Sequence, residues 1–187
     1  MLKLSTLFFL SAFLFSCSSN NEPKNNDAVK DTTNKNQTDT SSLNTTGYYK
    51  IEGDSLEIPS FKIEVSLSQK ANEKLKKGNE TIIVWAYFSG IPKDTTLKEY
   101  LKSGGMSIAS TQQELSGENR TAEIEGVRFS KSLYDSLADK DIQVLINIYS
   151  GRKSSRDNLL DCDILEEKMS VVKGKEFTLK GKLIGEK

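Results

Sequence analysis

Apolar and polar positions alternate strictly from Phe61 to Leu67, where Phe61, Ile63, Val65 and Leu67 are separated by Lys62, Glu64 and Ser66. That period of two is the pattern of a strand buried on one face. Runs rich in β-branched and aromatic residues follow at Thr81–Ser89 and Ile142–Ser150 and predict strands as well. Weaker signals place further strands at Met106–Glu114, Arg120–Ser130, Leu159–Leu165 and Glu176–Ile184.

Part of the pattern occurs twice. Phe61–Ser68 leads into Ala71 and Leu75, then the Thr81–Phe88 run, then Ser89-Gly90. Ala122–Ser130 leads in the same way into Leu133 and Leu137, then Ile142–Tyr149, then Ser150-Gly151. In each copy a serine stands where a helix N-cap belongs, with apolar residues four apart behind it. Each unit therefore reads as strand, short helix, strand, and Gly126 marks a bulge in the second copy. With the two Ser-Gly ends aligned, Trp85 falls on Ile146, Ile83 on Val144 and Tyr87 on Ile148, all apolar partners. This alignment predicts that Trp85 lies in the core. Short strands without a long helical period predict an all-β domain over residues 47–187. The expected form is a single immunoglobulin-like or transthyretin-like β-sandwich of about seven strands with short helical connections.

The beginning of the chain obeys a different logic. Met1-Leu2-Lys3 is a short positive start, and Leu4 to Phe15 is an apolar run. At roughly a dozen residues it is shorter than the ~20 that span a bilayer, and it has the length of a signal-peptide core. It ends in Leu14-Phe15-Ser16-Cys17. This ending resembles the lipobox of bacterial lipoproteins, with Phe15 standing where a small residue is usual. The resemblance covers residues 1–17 and implies that the chain is cut before Cys17, which carries the lipid. It also implies a cell-envelope protein whose partner is the bilayer itself, reached through acylated Cys17. Ser18, rather than an aspartate, follows the cysteine, and by the same resemblance this points to the outer membrane.

Residues 18–46 are dominated by Asn, Ser, Thr, Asp and Lys, with Ala28, Val29 and Leu43 the few apolar exceptions. Such a segment cannot bury enough surface to offset ordering entropy and is expected to be a flexible tether, with a reach of roughly 30 Å. Asp31-Thr32-Thr33 within it resembles the O-glycosylation motif of some Gram-negative bacteria, which makes Thr32 a candidate modification site.

Composition narrows the chemistry. Lys+Arg and Asp+Glu are both 26, so no net charge argues for nucleic acid. Histidine is absent, which removes Ser-His-Asp and Cys-His catalysis, His-containing zinc sites and His-ligated haem. With Cys17 lipidated, Cys162 has no partner for an internal disulfide and reads as a buried, inert thiol. Ser103-Gly104-Gly105 reads as a turn rather than a phosphate cradle. Asp157, Asp161, Asp163, Glu166 and Glu167 lack the spacing of an EF-hand and read as a solvated loop. No metal, cofactor or catalytic residue is nominated. Arg152, Lys153 and Arg156, after Gly151, form a candidate anion-binding loop.

These observations lead to a tethered, non-catalytic β-sandwich module that binds or scaffolds an envelope partner, protein or glycan. A carbohydrate-binding lipoprotein, using exposed aromatics such as Tyr100 and Tyr149, is the alternative, and a carboxylate-dependent hydrolase a more distant one. A flat aromatic strip on the fold would favour the carbohydrate reading, and a convergent acid pair in a cleft would favour the hydrolase.

Overall fold

A computed structural model describes residues 45–187. The expectations for the signal segment, Cys17, Thr32 and the tether as far as residue 44 lie outside these residues. The described chain is β-rich and forms three four-stranded sheets.

The first sheet is small and wholly antiparallel, in the order β1 (Thr45–Thr46), β2 (Tyr49–Glu52), β3 (Ser55–Glu57), β8 (Arg128–Ser130). Its first three strands carry too few residues to show a period, and the sequence pattern does not predict them. Tyr49 fixes this sheet to the rest: its ring packs edge-on against Phe129 and Tyr134, at centroid distances of 5.8 and 5.4 Å. The Tyr49 hydroxyl donates to Lys140 O (3.1 Å) and accepts from Ile142 N (3.3 Å).

The second sheet runs β10 (Leu160–Cys162), β12 (Glu176–Leu183), β4 (Phe61–Leu67), β7 (Thr121–Ile124). Its central pair, β12 and β4, is parallel, and the other pairs are antiparallel. The alternation along β4 holds: Phe61, Ile63 and Val65 are buried, and Lys62, Glu64 and Ser66 are exposed. The third sheet is antiparallel, in the order β11 (Leu165–Lys168), β9 (Gln143–Ser150), β5 (Ile82–Gly90), β6 (Met106–Leu115). Inward residues of all three sheets join one buried cluster, among them Leu56, Phe61, Ile63, Ala122, Leu179, Val84, Phe88 and Ile146.

Both expected serine caps are present. Ser68 opens α1 (Gln69–Gly78), its Oγ accepting from Ala71 N at 3.1 Å, and Ala71 and Leu75 face the core. Ser130 opens α3 (Lys131–Ser136), its Oγ accepting from Leu133 N at 3.2 Å. A short α2 (Lys98–Ser103) ends on Gly104 at φ 71°, the turn expected there. The turn α4 (Met169–Val172) buries Met169 and Val172.

Three expectations need correction. About seven strands are predicted, and the described residues form twelve. Gly126, expected as a bulge, has φ 65° and lies in the short connection between β7 and β8. The chain then leaves the second sheet, and β8 joins the first, because an αL residue cannot continue the extended ladder. The irregularity of register lies instead between Phe88 and Ser89 of β5. Finally, the acidic run is not one loop: Asp161 is in β10, and Glu166 and Glu167 are in β11.

Candidate functional site: the outer face of the third sheet

The central strand β5 has two apolar faces, and only one is inside. Ile82, Val84, Ala86 and Phe88 are buried, whereas Ile83, Trp85 and Tyr87 are half-buried on the opposite face. The neighbouring strands settle which face meets solvent. On β9, Val144, Ile146 and Ile148 are buried and Leu145, Asn147 and Tyr149 are half-buried. On β6, Ser110, Gln112 and Glu114 are exposed.

The cross-strand register arranges these outer side chains in three rows. Glu114, Ile83 and Tyr149 form the first, Gln112, Trp85 and Asn147 the second, and Ser110, Tyr87 and Leu145 the third. Trp85 and Tyr87 stack, with ring centroids 5.5 Å apart and planes inclined by 29°. The sheet thus presents a strip of large amphipathic rings flanked by amides and a serine hydroxyl. This corrects the core assignment of Trp85. The Ser-Gly alignment fails by one residue: it sets half-buried Trp85 on fully buried Ile146 and buried Val84 on half-buried Leu145, so the inward positions of β5 and β9 coincide only when one copy is shifted by a single position. Because side chains alternate between faces, that single step moves Trp85 to the outside.

One end of the strip is closed by the loop after β9. Glu80, itself buried, anchors it with both carboxylate oxygens. Oε1 accepts from Thr81 N and Lys153 N, each at 3.0 Å, while Oε2 accepts from Ser154 N and Ser154 Oγ, each at 2.7 Å. Burial alone would raise the Glu80 pKa, but these donors outweigh it and hold the carboxyl at about 2. Gly151 N donates to Thr81 O at 2.8 Å. A Cβ at Gly151 would stand 1.9 Å from Thr81 Oγ1, so this close passage requires glycine. The next residue, Arg152, has φ 59°, a strained conformation for a side chain of this kind.

The three cations of the candidate anion loop are placed differently. Lys153 Nζ is 2.7 Å from Glu114 Oε1 and is thereby partnered. Arg156 is exposed. Arg152 is exposed and lines a cleft of about 340 Å³ together with Asn147, Tyr149, Ser150, Gly151 and Asn158. The cleft is therefore continuous with the aromatic strip through Asn147 and Tyr149. Asn158 is used structurally: its Oδ1 accepts from Ser150 N (2.9 Å) and Leu160 N (3.1 Å), and its Nδ2 donates to Leu160 O (2.7 Å).

Other chemistry-bearing groups serve the fold. A cleft of about 440 Å³ beside α1 contains Arg120. Its guanidinium is already held by Asn72 Oδ1 (2.9 Å), Gly117 O (3.0 Å) and Asn119 O (2.8 Å), so it is a strut between α1 and the β6–β7 turn. The Tyr48 hydroxyl donates to Asp141 Oδ1. Asp141 also accepts from Ser170 N (2.9 Å) and Ser170 Oγ (2.6 Å). Burial opposes the Asp141 charge, yet these donors lower its pKa below the ordinary carboxylate value, and the knot ties the start of β2 to α4. The half-buried Cys162 thiol is pushed up to about 11, first by burial and then by the charges of Asp161 and Asp163. Such a thiol is a poor nucleophile at neutral pH. Among the described residues, no three acidic or cysteine side chains come together as metal ligands do.

Tyr100, on α2, is half-buried and apart from these rows. Tyr149 belongs to them, half-buried and across from Ile83. No helix of the described residues is long and apolar enough to cross a membrane. No protein-family model, curated protein or solved structure matches the chain.

Proposed function

We propose that this chain is a lipid-anchored, non-catalytic cell-envelope module, built as a β-sandwich, that binds carbohydrate on the outer face of its third sheet. The observation that carries the reading is the group of Trp85, Tyr87 and Tyr149 on a solvent-open sheet face, flanked by Asn147, Gln112 and Ser110. The C–H face of a sugar ring lies against an aromatic ring, while its hydroxyls need donors and acceptors beside that ring. Rings carrying polar handles, set among amides, supply both. The rigid antiparallel sheet positions them without the entropy loss of ordering a loop.

Two alternating sheets that share one core support the sandwich form. The Leu-Phe-Ser-Cys ending supports the anchor, with Cys17 acylated and the outer membrane as its destination. In this reading the partner is an envelope or extracellular glycan, and the protein holds it close to the membrane.

Affinity electrophoresis of the full chain through gels containing different polysaccharides tests the proposal. At least one polysaccharide should retard the protein, and Trp85→Ala should abolish the retardation while leaving the circular dichroism spectrum unchanged. Equal retardation of the folded Trp85→Ala variant would place any binding elsewhere.

A further inference from the structure

The cleft at the end of the aromatic strip bears on which carbohydrate is bound, an inference that rests on the carbohydrate reading itself. Arg152 is the one charged member of the cleft lining, and among the described residues it forms no ion pair or hydrogen bond through its side chain. The acid in the first row of the strip, Glu114, is neutralised by Lys153 at 2.7 Å. Its Oε1 also accepts from Thr81 Oγ1 at 2.7 Å. The cleft therefore has a positive end without an opposing carboxylate in its lining. At the other side of the third row, Glu166 is exposed across from Leu145. The surface is thus polarised, with the cation beside Tyr149 and an acid beyond Leu145.

The backbone holds Arg152 there at a cost. A φ of 59° is disfavoured for any residue with a Cβ, and glycine would satisfy the same turn without strain. The turn itself is imposed by the Glu80 anchor on Lys153 and Ser154 and by the Gly151–Thr81 hydrogen bond. A guanidinium carried on this turn into a cleft that Tyr149 and Asn147 also line matches a planar carboxylate, which it can hold through two parallel N–H donors.

We propose that the ligand is an acidic polysaccharide, a chain containing uronic acid residues. Arg152 receives one sugar carboxylate in the cleft, and Trp85, Tyr87 and Tyr149 carry the adjoining rings. Charge complementarity at the cleft end selects this ligand over neutral glycans.

The test is calorimetric titration of the full chain with alginate, pectate, hyaluronan and glucuronate-bearing xylan, each beside its methyl ester. Esterification removes the carboxylate charge and leaves the sugar rings in place. The wild type should bind at least one free acid about two- to fivefold more tightly than its ester, a range fitting one solvated charge-assisted pair. Arg152→Gln should bind acid and ester alike, at the affinity of the wild type for the ester, and Arg152→Lys should keep part of the preference. Arg152→Gly, which relieves the backbone, separates this effect from folding and should lose the preference as Arg152→Gln does. Equal affinity of the wild type for acid and ester, or a preference that survives in Arg152→Gln, would overturn the proposal while leaving the carbohydrate reading intact. Binding to no member of the panel, acid or ester, would overturn the acidic ligand, and the carbohydrate reading falls with it only if no polysaccharide retards the protein in the affinity gels either.

Discussion

Trp85 leans on Tyr87 at 5.5 Å between ring centroids, and both rings stand on the outer face of β5. Their neighbours in the chain, Ala86 and Phe88, are fully buried on the inner face. Replacing Trp85 by alanine should therefore cost only about 1–2 kcal/mol, from the lost stack and partial burial. Phe88→Ala should cost about 3–5 kcal/mol, because it opens a cavity in the core. Thermal melts of the two variants compare these costs directly. A loss for Trp85→Ala as large as that for Phe88→Ala would mean that the two faces of β5 are reversed.

How far the sequence speaks is clearest at this strand. Its existence is legible from nine residues of mainly β-branched and aromatic type, and so are both serine caps and the strands β4, β6, β9 and β12. Its facing is not. Ile82, Val84, Ala86, Phe88 and the opposite set Ile83, Trp85, Tyr87 are all apolar or aromatic, so alternation within the strand carries no information. The partner strands hold the answer: Ser110, Gln112 and Glu114 on β6 share a face with the large rings, and Asn147 on β9 does too. Trp and Tyr also carry a polar handle, which suits a half-exposed face better than the closely packed interior. Glu80 leaves no such trace. It comes after α1 as one acid among many, and its role depends on Lys153 and Ser154, more than seventy positions away in the chain. Likewise Arg152, Lys153 and Arg156 are close in sequence, but only the register of β5 with β6 shows that Glu114 occupies Lys153.

The Glu80 anchor makes a prediction about acid stability. Its carboxyl sits at about 2 in the folded protein, below the ordinary 4.5, so the unfolded state binds the proton first as pH falls. The stabilisation, on the order of 3 kcal/mol, is fully present above about pH 4.5 and disappears as pH falls towards 2. Glu80→Gln should lower stability at pH 7 by about 2–4 kcal/mol. It should also lose less stability between about pH 4.5 and about pH 2 than the wild type does. Urea unfolding across that range measures both effects, and parallel stability–pH curves for the two proteins would contradict the anchoring role.

Arg152 makes a prediction of the opposite sign. Since its φ is 59° and its side chain has no partner among the described residues, Arg152→Gly should stabilise the protein by ~1 kcal/mol. A melting temperature that falls on this substitution would show that the guanidinium supports the fold rather than a ligand.

The anchor is testable apart from the domain. Cys17→Ala should leave a full-length chain that incorporates no fatty-acid probe and loses its membrane association. Metabolic labelling in the native host checks this, and undiminished labelling of the variant would contradict lipidation at Cys17.

The face bearing Trp85 is open to solvent in the free protein, and a bound glycan closes it. Trp85 is the only tryptophan of the chain, so acrylamide quenching of intrinsic tryptophan fluorescence reports on this face alone. Emission from the unliganded protein should be readily quenched, and a saturating polysaccharide ligand should shield it and shift the emission to the blue. Emission that resists quenching in the free protein, or quenching left unchanged by a polysaccharide shown to bind, would contradict a glycan site on this face.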